Sequence, residues 1–235
     1  MTGAGRGIGA GIAAHFVAAG CRVALLDLDG PGVKERAREL GHGALAYVVD
    51  LRDPAAVAAT VADAVSALDG LDLVVNNAGV FAHTPLLDIP VAEWDDMFAV
   101  NVRSMLLVIQ AAAPAMMRGG GRIVNMASMA AKLGTPGEAH YAASKAAVVA
   151  LTRVAAKELA VYGITVNCVC PGYVLTEMGA ATRTADDIAR WSALSPLGRL
   201  ATVQDVVGVV SWLASGDASY CTGQAINVTG GMVMH

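Results

Sequence analysis

The chain has 235 residues, 55% of them hydrophobic, which suits one large α/β domain. Its net charge of −4 and its lack of basic runs exclude a typical nucleic-acid partner. The longest apolar stretch, residues 104–117, is interrupted by Gln110 and Pro114 and is too short for a bilayer span. No signal-peptide pattern precedes the first motif, and the cysteines and histidines lack metal-site spacing. We therefore expect a cytoplasmic protein with no membrane partner and no metal.

The chain opens with a glycine-rich loop, TGAGRGIG at residues 2–9, that leads into a helical pattern. A loop of this kind normally follows a β-strand, yet only Met1 precedes Thr2. The first strand is thus expected to be absent from the given chain. Small glycines let backbone N–H groups approach a pyrophosphate at the positive end of a helix. The same glycines also suit a tight turn with close helix–sheet packing, so the loop alone does not decide the function.

Short apolar runs rich in β-branched residues alternate with helical patterns along the rest of the chain, which predicts βαβ units. The predicted strands are residues 22–27, 44–50, 71–77, 121–128, 164–170 and 224–230. This alternation predicts a doubly wound, Rossmann-like parallel sheet in a single domain over residues 1–235. Asp53 followed by Pro54 marks a helix start. The poorly patterned residues 172–200 are expected to form a substrate lid.

Asp27 ends the strand that follows the glycine loop, eighteen residues after Gly9. A carboxylate at this place can accept hydrogen bonds from both hydroxyls of an adenosine ribose and would repel a 2′-phosphate. NAD is therefore favoured over NADP as the cofactor. Arg6 within the loop argues for NADP, since a cation there can meet a phosphate. It can equally pair with Asp27.

Tyr141 and Lys145 lie four residues apart at the start of a predicted helix, in the stretch YAASK, and so share one face. A nearby ammonium stabilises a phenolate, so the Tyr141 pKa is expected to fall towards working pH, which suits a general acid/base. Ser128 ends a predicted strand thirteen residues earlier. Its hydroxyl is placed where α/β sheets bind ligands.

These stretches together resemble the short-chain dehydrogenase/reductase family over nearly the whole chain. The matching stretches are TGAGRGIG at 2–9, NNAG at 76–79, Asn101 in FAVNVRS, Ser128, YAASK at 141–145, CPGYVLTEM at 170–178 and TGQAINVTGG at 222–231. Their ordered occurrence along one chain is far more specific than any single motif.

The resemblance implies a catalytic set of Asn101, Ser128, Tyr141 and Lys145. Tyr141 would be the acid/base, Lys145 would lower its pKa and hold the nicotinamide ribose, and Ser128 would orient the substrate oxygen. Asn101 would hold a water molecule for proton relay. The implied cofactor-binding residues are Gly3, Arg6, Gly7, Ile8, Asp27, Asp50, Leu51, Asn77, Ala78, Gly79, Tyr141, Lys145, Pro171, Gly172, Val174 and Thr176.

The implied activity is NAD-dependent interconversion of a secondary alcohol and a ketone, on a polyol, a sugar or a small alcohol. The alternatives are an acyl-carrier-protein-type 3-oxoacyl ketoreductase and a non-catalytic, nucleotide-sensing Rossmann protein. Apolar residues on several faces of helices near 95–117 and 141–160, read with the resemblance, imply a homotetramer.

In this family the strand before the glycine loop is the central one, flanked by the strands at 22–27 and 71–77. Without it, these two strands are expected either to pair directly or to stand two strand spacings apart. In the second case the gap would be empty, watered or filled by another segment.

Two aromatic residues near the expected pocket are ambiguous from sequence. His140 can line the pocket or lie on the surface, and Trp191 can close over a substrate from the expected lid. Cys168 and Cys170 alternate along one predicted strand and are expected to pack as small hydrophobic residues.

Overall fold

The computed structural model describes residues 1–41, 43–176 and 184–235. Its strands are β1 Val23–Asp27, β2 Ala44–Val48, β3 Leu73–Asn76, β4 Gly121–Met126, β5 Ile164–Pro171, β6 Val174–Leu175, β7 Ala201–Thr202 and β8 Ala225–Val228. Its α-helices are α1 Gly7–Ala18, α2 Gly30–Leu40, α3 Pro54–Leu68, α4 Val91–Phe98, α5 Ser104–Met116, α6 Ala130–Leu133, α7 Ala139–Leu159, α8 Ala185–Leu194 and α9 Val203–Ala214. All six predicted strands are present.

The main sheet is parallel throughout, because its strands are apolar and helices cover both faces. β2 pairs with β1, and the second group runs in the order β3-β4-β5-β8. The predicted doubly wound parallel sheet is confirmed. This topology brings the carboxyl ends of the strands to one edge, where ligand-binding groups collect in such sheets.

Local capping sets the start of α3 as the sequence predicts. The Asp53 carboxylate accepts hydrogen bonds from the N–H groups of Ala55 and Ala56 at 2.9 and 3.1 Å. Pro54 takes the first helical position, where a missing N–H costs nothing. At the other end of the helix, Asp69 is left-handed at φ 60° and Gly70 follows at φ 125°.

Strands β1 and β3 are neighbours in space but do not pair with each other. Met1 and Thr2 lie between them, and Thr2 forms single parallel bridges to Leu26 and to Asn76. A cavity of about 470 Å³ lies in the gap between the two strands, where Met1, Ala24 and Val74 line it. Of the two expected arrangements, the structure adopts the one in which the flanking strands stand apart.

The segment expected to form a lid contains regular structure in its described part. β6 pairs with β7, a short parallel ladder that the sequence pattern did not reveal because each strand has two residues. Between them α8 begins at a capping box formed by Thr184 and Asp187. Trp191 on α8 stacks on Tyr173 with ring centroids 4.6 Å apart. Residues 177–183 of this segment lie outside the described residues.

The helical run Val91–Met116 is long and apolar enough to cross a membrane by length and composition. It is instead continuous with the protein core. Asn101 and Ser104 within it are buried, and Val108 and Ala112 belong to the main apolar cluster with β3, β4 and α3. A buried core helix of this kind explains its hydropathy.

Candidate active site

The first turns of α7 carry Tyr141, Ser144 and Lys145 towards the carboxyl edge of the sheet. Lys145 is 4% exposed, and its Nζ donates a hydrogen bond to the carbonyl oxygen of Met126 at 2.9 Å. The same Nζ lies 5.7 Å from the centroid of the Tyr141 ring. The predicted pairing on one helix face is therefore present, and the end of β4 fixes the lysine.

The Tyr141 side chain is held by groups from two other segments. Its ring packs edge-to-face on Phe81 with centroids 5.0 Å apart, and its hydroxyl hydrogen-bonds Ser128. Ser128 also anchors its own loop, because its Oγ accepts the N–H of Ala130 at 3.1 Å. The structure thus brings together the tyrosine, the serine and the lysine singled out from the sequence.

The expected lowering of the Tyr141 pKa is wrong for this structure. Burial raises the pKa of the phenol, the hydrogen bond from Ser128 lowers it, and the Glu138 carboxylate raises it. Burial also lowers the pKa of Lys145 to about 8, although the thiols of Cys170 and Cys168 favour its charged form. In both residues desolvation is the largest effect, and it disfavours the charged form of each.

Asn101 lies in a π-helical turn, residues 99–103, between α4 and α5. Its amide is fully buried and satisfied by backbone and side chain: Oδ1 accepts the Val80 N–H at 2.8 Å, and Nδ2 donates to Val80 O and to Ser144 Oγ, each at 3.0 Å. π-bulges are frequent at functional sites. Asn101 therefore joins the loop after β3 to α7 close to Tyr141.

Ser144, the serine of YAASK, is a functional residue that the sequence reasoning missed. Its Oγ donates to the Tyr141 carbonyl oxygen at 2.7 Å while accepting from Asn101. The signal was present, since a serine three residues after Tyr141 lies on the same face of the helix.

Gly79 leaves the space in which two of these side chains meet. A methyl group at this position would lie 3.1 Å from Asn101 Oδ1 and 3.3 Å from Lys145 Nζ. A side chain at the glycine of NNAG would therefore crowd Asn101 and Lys145 and push them apart by a few tenths of an ångström.

The glycine loop closes against residues 77–78 and begins α1. A methyl group at Gly3 would lie 2.8 Å from Ala78 Cα, and one at Gly9 would overlap the Gly3 carbonyl oxygen. Asn77 Nδ2 donates to that oxygen at 2.8 Å, and Thr2 Oγ1 accepts the N–H groups of Asn77 and Ala78 at 3.0 and 3.1 Å.

The N-terminus of α1, which follows this loop, has no side-chain cap. Arg6, the residue before α1, is exposed and caps no N–H with its side chain, while Gly7 follows at φ 58° and Ile8 is half-buried. The first turn of α1 contains no acidic residue. The N–H groups of this first turn suit a phosphate.

Asp27 lies beside the glycine loop at the end of β1. Its Oδ2 accepts the Gly5 N–H at 2.8 Å, and its Oδ1 accepts the Asp29 N–H at 3.0 Å. Each carboxylate oxygen has further lone pairs available. The loop thereby orients the carboxylate and leaves it able to accept ribose hydroxyls.

Asp50 has partners that the sequence did not reveal. Arg52 donates to both of its oxygens, with Nη2 to Oδ2 at 2.7 Å, and this pairing holds the Asp50 pKa below its usual range. Arg52 also reaches Asp96 on α4 at 2.9 Å. Leu51 beside it is buried. The Asp50 carboxylate is thus engaged within the protein, and Leu51 belongs to the main apolar cluster.

The residues after β5 border the same edge. Pro171 ends the strand and Gly172 donates its N–H to Val228 O at 3.0 Å. A methyl group at Gly172 would lie 3.2 Å from Thr229 Cα. Val174 is buried in β6. The Thr176 side chain lies over Gly7, since a methyl group at Gly7 would be 3.8 Å from Thr176 Cγ2.

His140 is completely buried, which excludes the surface position. Its Nε2 lies 2.8 Å from Glu93 Oε1 on α4, although the ring is not aligned for a hydrogen bond to that oxygen. Glu93 Oε1 also accepts the Thr84 hydroxyl at 2.7 Å. Sequence reasoning missed this contact between α4, α7 and the loop after β3, because its members are far apart in the chain.

Comparison with known proteins places this geometry among oxidoreductases. A family model described as enoyl-(acyl carrier protein) reductase matches residues 3–233. The chain is 38% identical over 244 residues to the 3-oxoacyl-[acyl-carrier-protein] reductase FabG of Staphylococcus aureus, covering 100% of this chain and 97% of that protein. It is 37% identical over 243 residues to a sorbitol dehydrogenase of Cereibacter sphaeroides, covering 98% and 95% of the two chains.

A solved structure shares the fold closely. The short-chain type dehydrogenase/reductase from Mycobacterium ulcerans superposes with a TM-score of 0.94 at 32% identity, covering 98% of this chain and 87% of that chain.

Proposed function

The chain belongs to the short-chain dehydrogenase/reductase family, and we propose that it interconverts a secondary alcohol and a ketone with NAD. The observation that carries the proposal is the Tyr141 hydroxyl, hydrogen-bonded to Ser128 with Lys145 one helical turn away. These three side chains come from two segments and converge beside the glycine loop. That arrangement suits proton exchange with an oxygen on the substrate.

In this mechanism Tyr141 gives a proton to the substrate oxygen during reduction and takes it back during oxidation. Ser128 orients the same oxygen through its hydroxyl. Lys145, fixed by the Met126 carbonyl oxygen, supplies positive charge that stabilises a tyrosinate when it is protonated. Asn101 holds the loop and helix around them in place. The bound nicotinamide cofactor accepts or supplies the hydride.

The residues present fit such a cofactor. Gly3 and Gly7 both have positive φ, and the loop that they form ends at the start of α1, whose N–H groups suit a phosphate. Asp27, oriented by two backbone N–H groups, favours a ribose with a free 2′-hydroxyl. Arg6 is the one observation in favour of a 2′-phosphate, and its exposed side chain is not held towards the first turn of α1 by a cap. We therefore propose NAD.

We propose a polyol, a sugar or a small alcohol as the substrate. Phe81 against Tyr141 and the stacked pair of Tyr173 and Trp191 supply aromatic walls at this edge of the sheet. The sorbitol dehydrogenase among the relatives supports a polyol.

A second candidate is a 3-oxoacyl-acyl-carrier-protein reductase. The FabG relative and the description of the matching family model favour it. The net charge of −4 argues against it, since docking an acidic carrier would need a basic patch. A non-catalytic sensor is a weaker candidate, because all four residues of the catalytic set are present.

We further propose a cytoplasmic homotetramer. α5 and α7 each keep an exposed apolar side chain, Leu106 at 40% and Val154 at 52% exposed, and α9 keeps Trp212 at 39%. Such residues are suited to burial between subunits.

The test is a panel of polyols, sugars, secondary alcohols and 3-hydroxyacyl thioesters, each with NAD and with NADP, followed through the absorbance of the reduced cofactor. Tyr141→Phe is expected to lower kcat by about 100-fold or more, because it removes the acid/base. Tyr220→Phe is the matched control, since Tyr220 is fully exposed. No turnover of any panel member by the parent enzyme, or near-normal turnover by Tyr141→Phe, would refute the proposal.

A further inference from the structure

His140 is a buried imidazole beside Tyr141 that has no role in the proposed mechanism. It is completely buried, and it occupies the second position of α7, directly before Tyr141. Neither of its ring nitrogens has an aligned hydrogen-bond partner among the described residues. A buried polar group without a partner costs free energy, so an imidazole here is unfavourable unless a neighbouring group stabilises it.

The Glu93 carboxylate determines which nitrogen of His140 carries a proton. Nε2 lies 2.8 Å from Glu93 Oε1. A lone pair on Nε2 at this distance would face the lone pairs of the carboxylate oxygen and be repelled, whereas an N–H group is attracted. The contact therefore requires a proton on Nε2. Alignment of this N–H with the carboxylate would give a charge-assisted hydrogen bond.

The same carboxylate oxygen also holds the loop after β3. Glu93 Oε1 accepts the Thr84 hydroxyl at 2.7 Å, and the Thr84 N–H donates to Gly137 O at 2.8 Å. Gly137 lies two residues before the start of α7. The loop is thereby tied both to α4, through Glu93, and to the segment that leads into α7.

Phe81 belongs to the loop that Thr84 anchors. Its ring packs edge-to-face on the Tyr141 ring with centroids 5.0 Å apart, although the residue is 57% exposed. A side chain this exposed has few packing neighbours, so its position depends on the backbone that carries it. Glu93 therefore acts on Tyr141 along two routes, through the preceding residue in α7 and through the loop that carries Phe81.

Glu93 is well placed to be shared between these two segments. It lies in the first turn of α4, where the helix dipole favours a carboxylate, and its side chain is 33% exposed, so water can satisfy its remaining lone pairs. Replacing a buried polar pair by apolar side chains of similar volume is often neutral or stabilising. A polar contact between α4 and α7 is thus better accounted for by geometry than by stability.

We propose that Glu93 and His140 are positioning residues for the Tyr141 acid/base. The shared carboxylate holds the start of α7 and the Phe81 loop together, so that the phenol stays on the Ser128 hydroxyl. Small displacements of an acid/base slow the reaction, because proton transfer needs hydrogen-bond distance. The effect on turnover rests on the proposed function; the effect on the two segments does not.

The test measures kcat and KM in variants of α4, with kcat expressed per NAD-binding site. Glu93→Ala is expected to lower kcat by about tenfold and to leave KM for NAD within about twofold, because other segments form the cofactor site. Glu93→Gln is expected to keep kcat within about threefold of the parent, since its amide oxygen still accepts both hydrogen bonds. Asp95→Ala, which removes an exposed carboxylate from the same helix, is the matched control and is expected to change neither constant.

A double-mutant cycle tests whether the two residues act together. His140→Phe keeps a ring at the site but removes the Nε2–H, and it is expected to lower kcat. Glu93→Ala made in the His140→Phe background is expected to lower kcat by less than it does in the parent, because one route is already lost.

Hydrogen exchange measures the same geometry without turnover. The Thr84 N–H donates to the segment before α7 at 2.8 Å, and the Ala142 N–H closes the first turn of α7 at 2.7 Å. Both amides are expected to exchange about tenfold faster in Glu93→Ala and at the parent rate in Asp95→Ala.

Several outcomes would overturn the proposal. They are an unchanged kcat in Glu93→Ala, an equal loss in Asp95→Ala, or a Glu93→Gln enzyme as slow as Glu93→Ala. A Glu93→Ala chain that does not fold, or whose KM for NAD rises as much as kcat falls, would show a purely structural role and also overturn it. If the parent turns over no substrate, the proposed function fails, and unchanged exchange in Glu93→Ala overturns the positioning contact separately.

Discussion

The buried amine of Met1 predicts a specific pH dependence of stability. Its pKa is about 5 in the folded protein and about 8 when exposed, because burial disfavours the charged form. Between these values the unfolded chain binds more protons, so the free energy of unfolding rises with pH from 5 to 8. Below pH 5 the amine is protonated in both the folded and the unfolded chain, and the full cost of burying its charge applies. Above pH 8 the amine is neutral in both, and this cost is absent.

The size follows from the shift. A difference of about three pKa units at about 1.4 kcal/mol per unit gives about 4 kcal/mol between pH 5 and pH 8. Water entering the cavity between β1 and β3, which Arg22 and Asp72 also line, makes this an upper bound. Such a change is a large fraction of a domain's stability.

The perturbation is Nα-acetylation, which removes the titrating group. The cavity of about 470 Å³ beside Met1 has room for an acetyl group. Urea unfolding of free and acetylated chains is measured from pH 5 to pH 8, with mass spectrometry to verify that Met1 is retained. All other titrating groups are common to both chains, so the difference between the two pH profiles isolates the amine. The acetylated chain is expected to lack this contribution to the rise; parallel profiles would refute the reasoning.

The remaining predictions concern the cofactor and the assembly. Asp27→Ala is expected to lower the ratio of kcat/KM with NAD to that with NADP by about tenfold, because it removes a carboxylate that repels a 2′-phosphate. Asp63→Ala on the exposed surface of α3 is its control, and a parent enzyme that already prefers NADP would contradict the assignment. Light scattering is expected to give a tetramer, and Val154→Glu is expected to shift it to smaller species; a monomeric parent would rule out the assembly.

Several features near the site depended on packing and were not visible in the chain. Arg52 engages Asp50 but also reaches Asp96, forty-four residues away, and the Glu93–His140 contact spans forty-seven positions. The pKa of Tyr141 is raised, against the expectation, because burial of the phenol is the largest effect on it and disfavours its charged form. None of these could be anticipated from spacing, since spacing carries no information on solvent exposure.

The sequence by itself determined features that arise from neighbours along the chain. The strand positions, the Asp53 cap, the shared face of Tyr141 and Lys145, and the glycine loop at the start of α1 all follow from periodicity, side-chain capping and the absence of Cβ atoms. Only the tertiary structure decided that β1 and β3 do not pair with each other, with Met1 and Thr2 lying between them. The reason is physical, because helices packed on both faces hold the two halves of the sheet at their spacing, and that packing is the sum of contacts between distant residues.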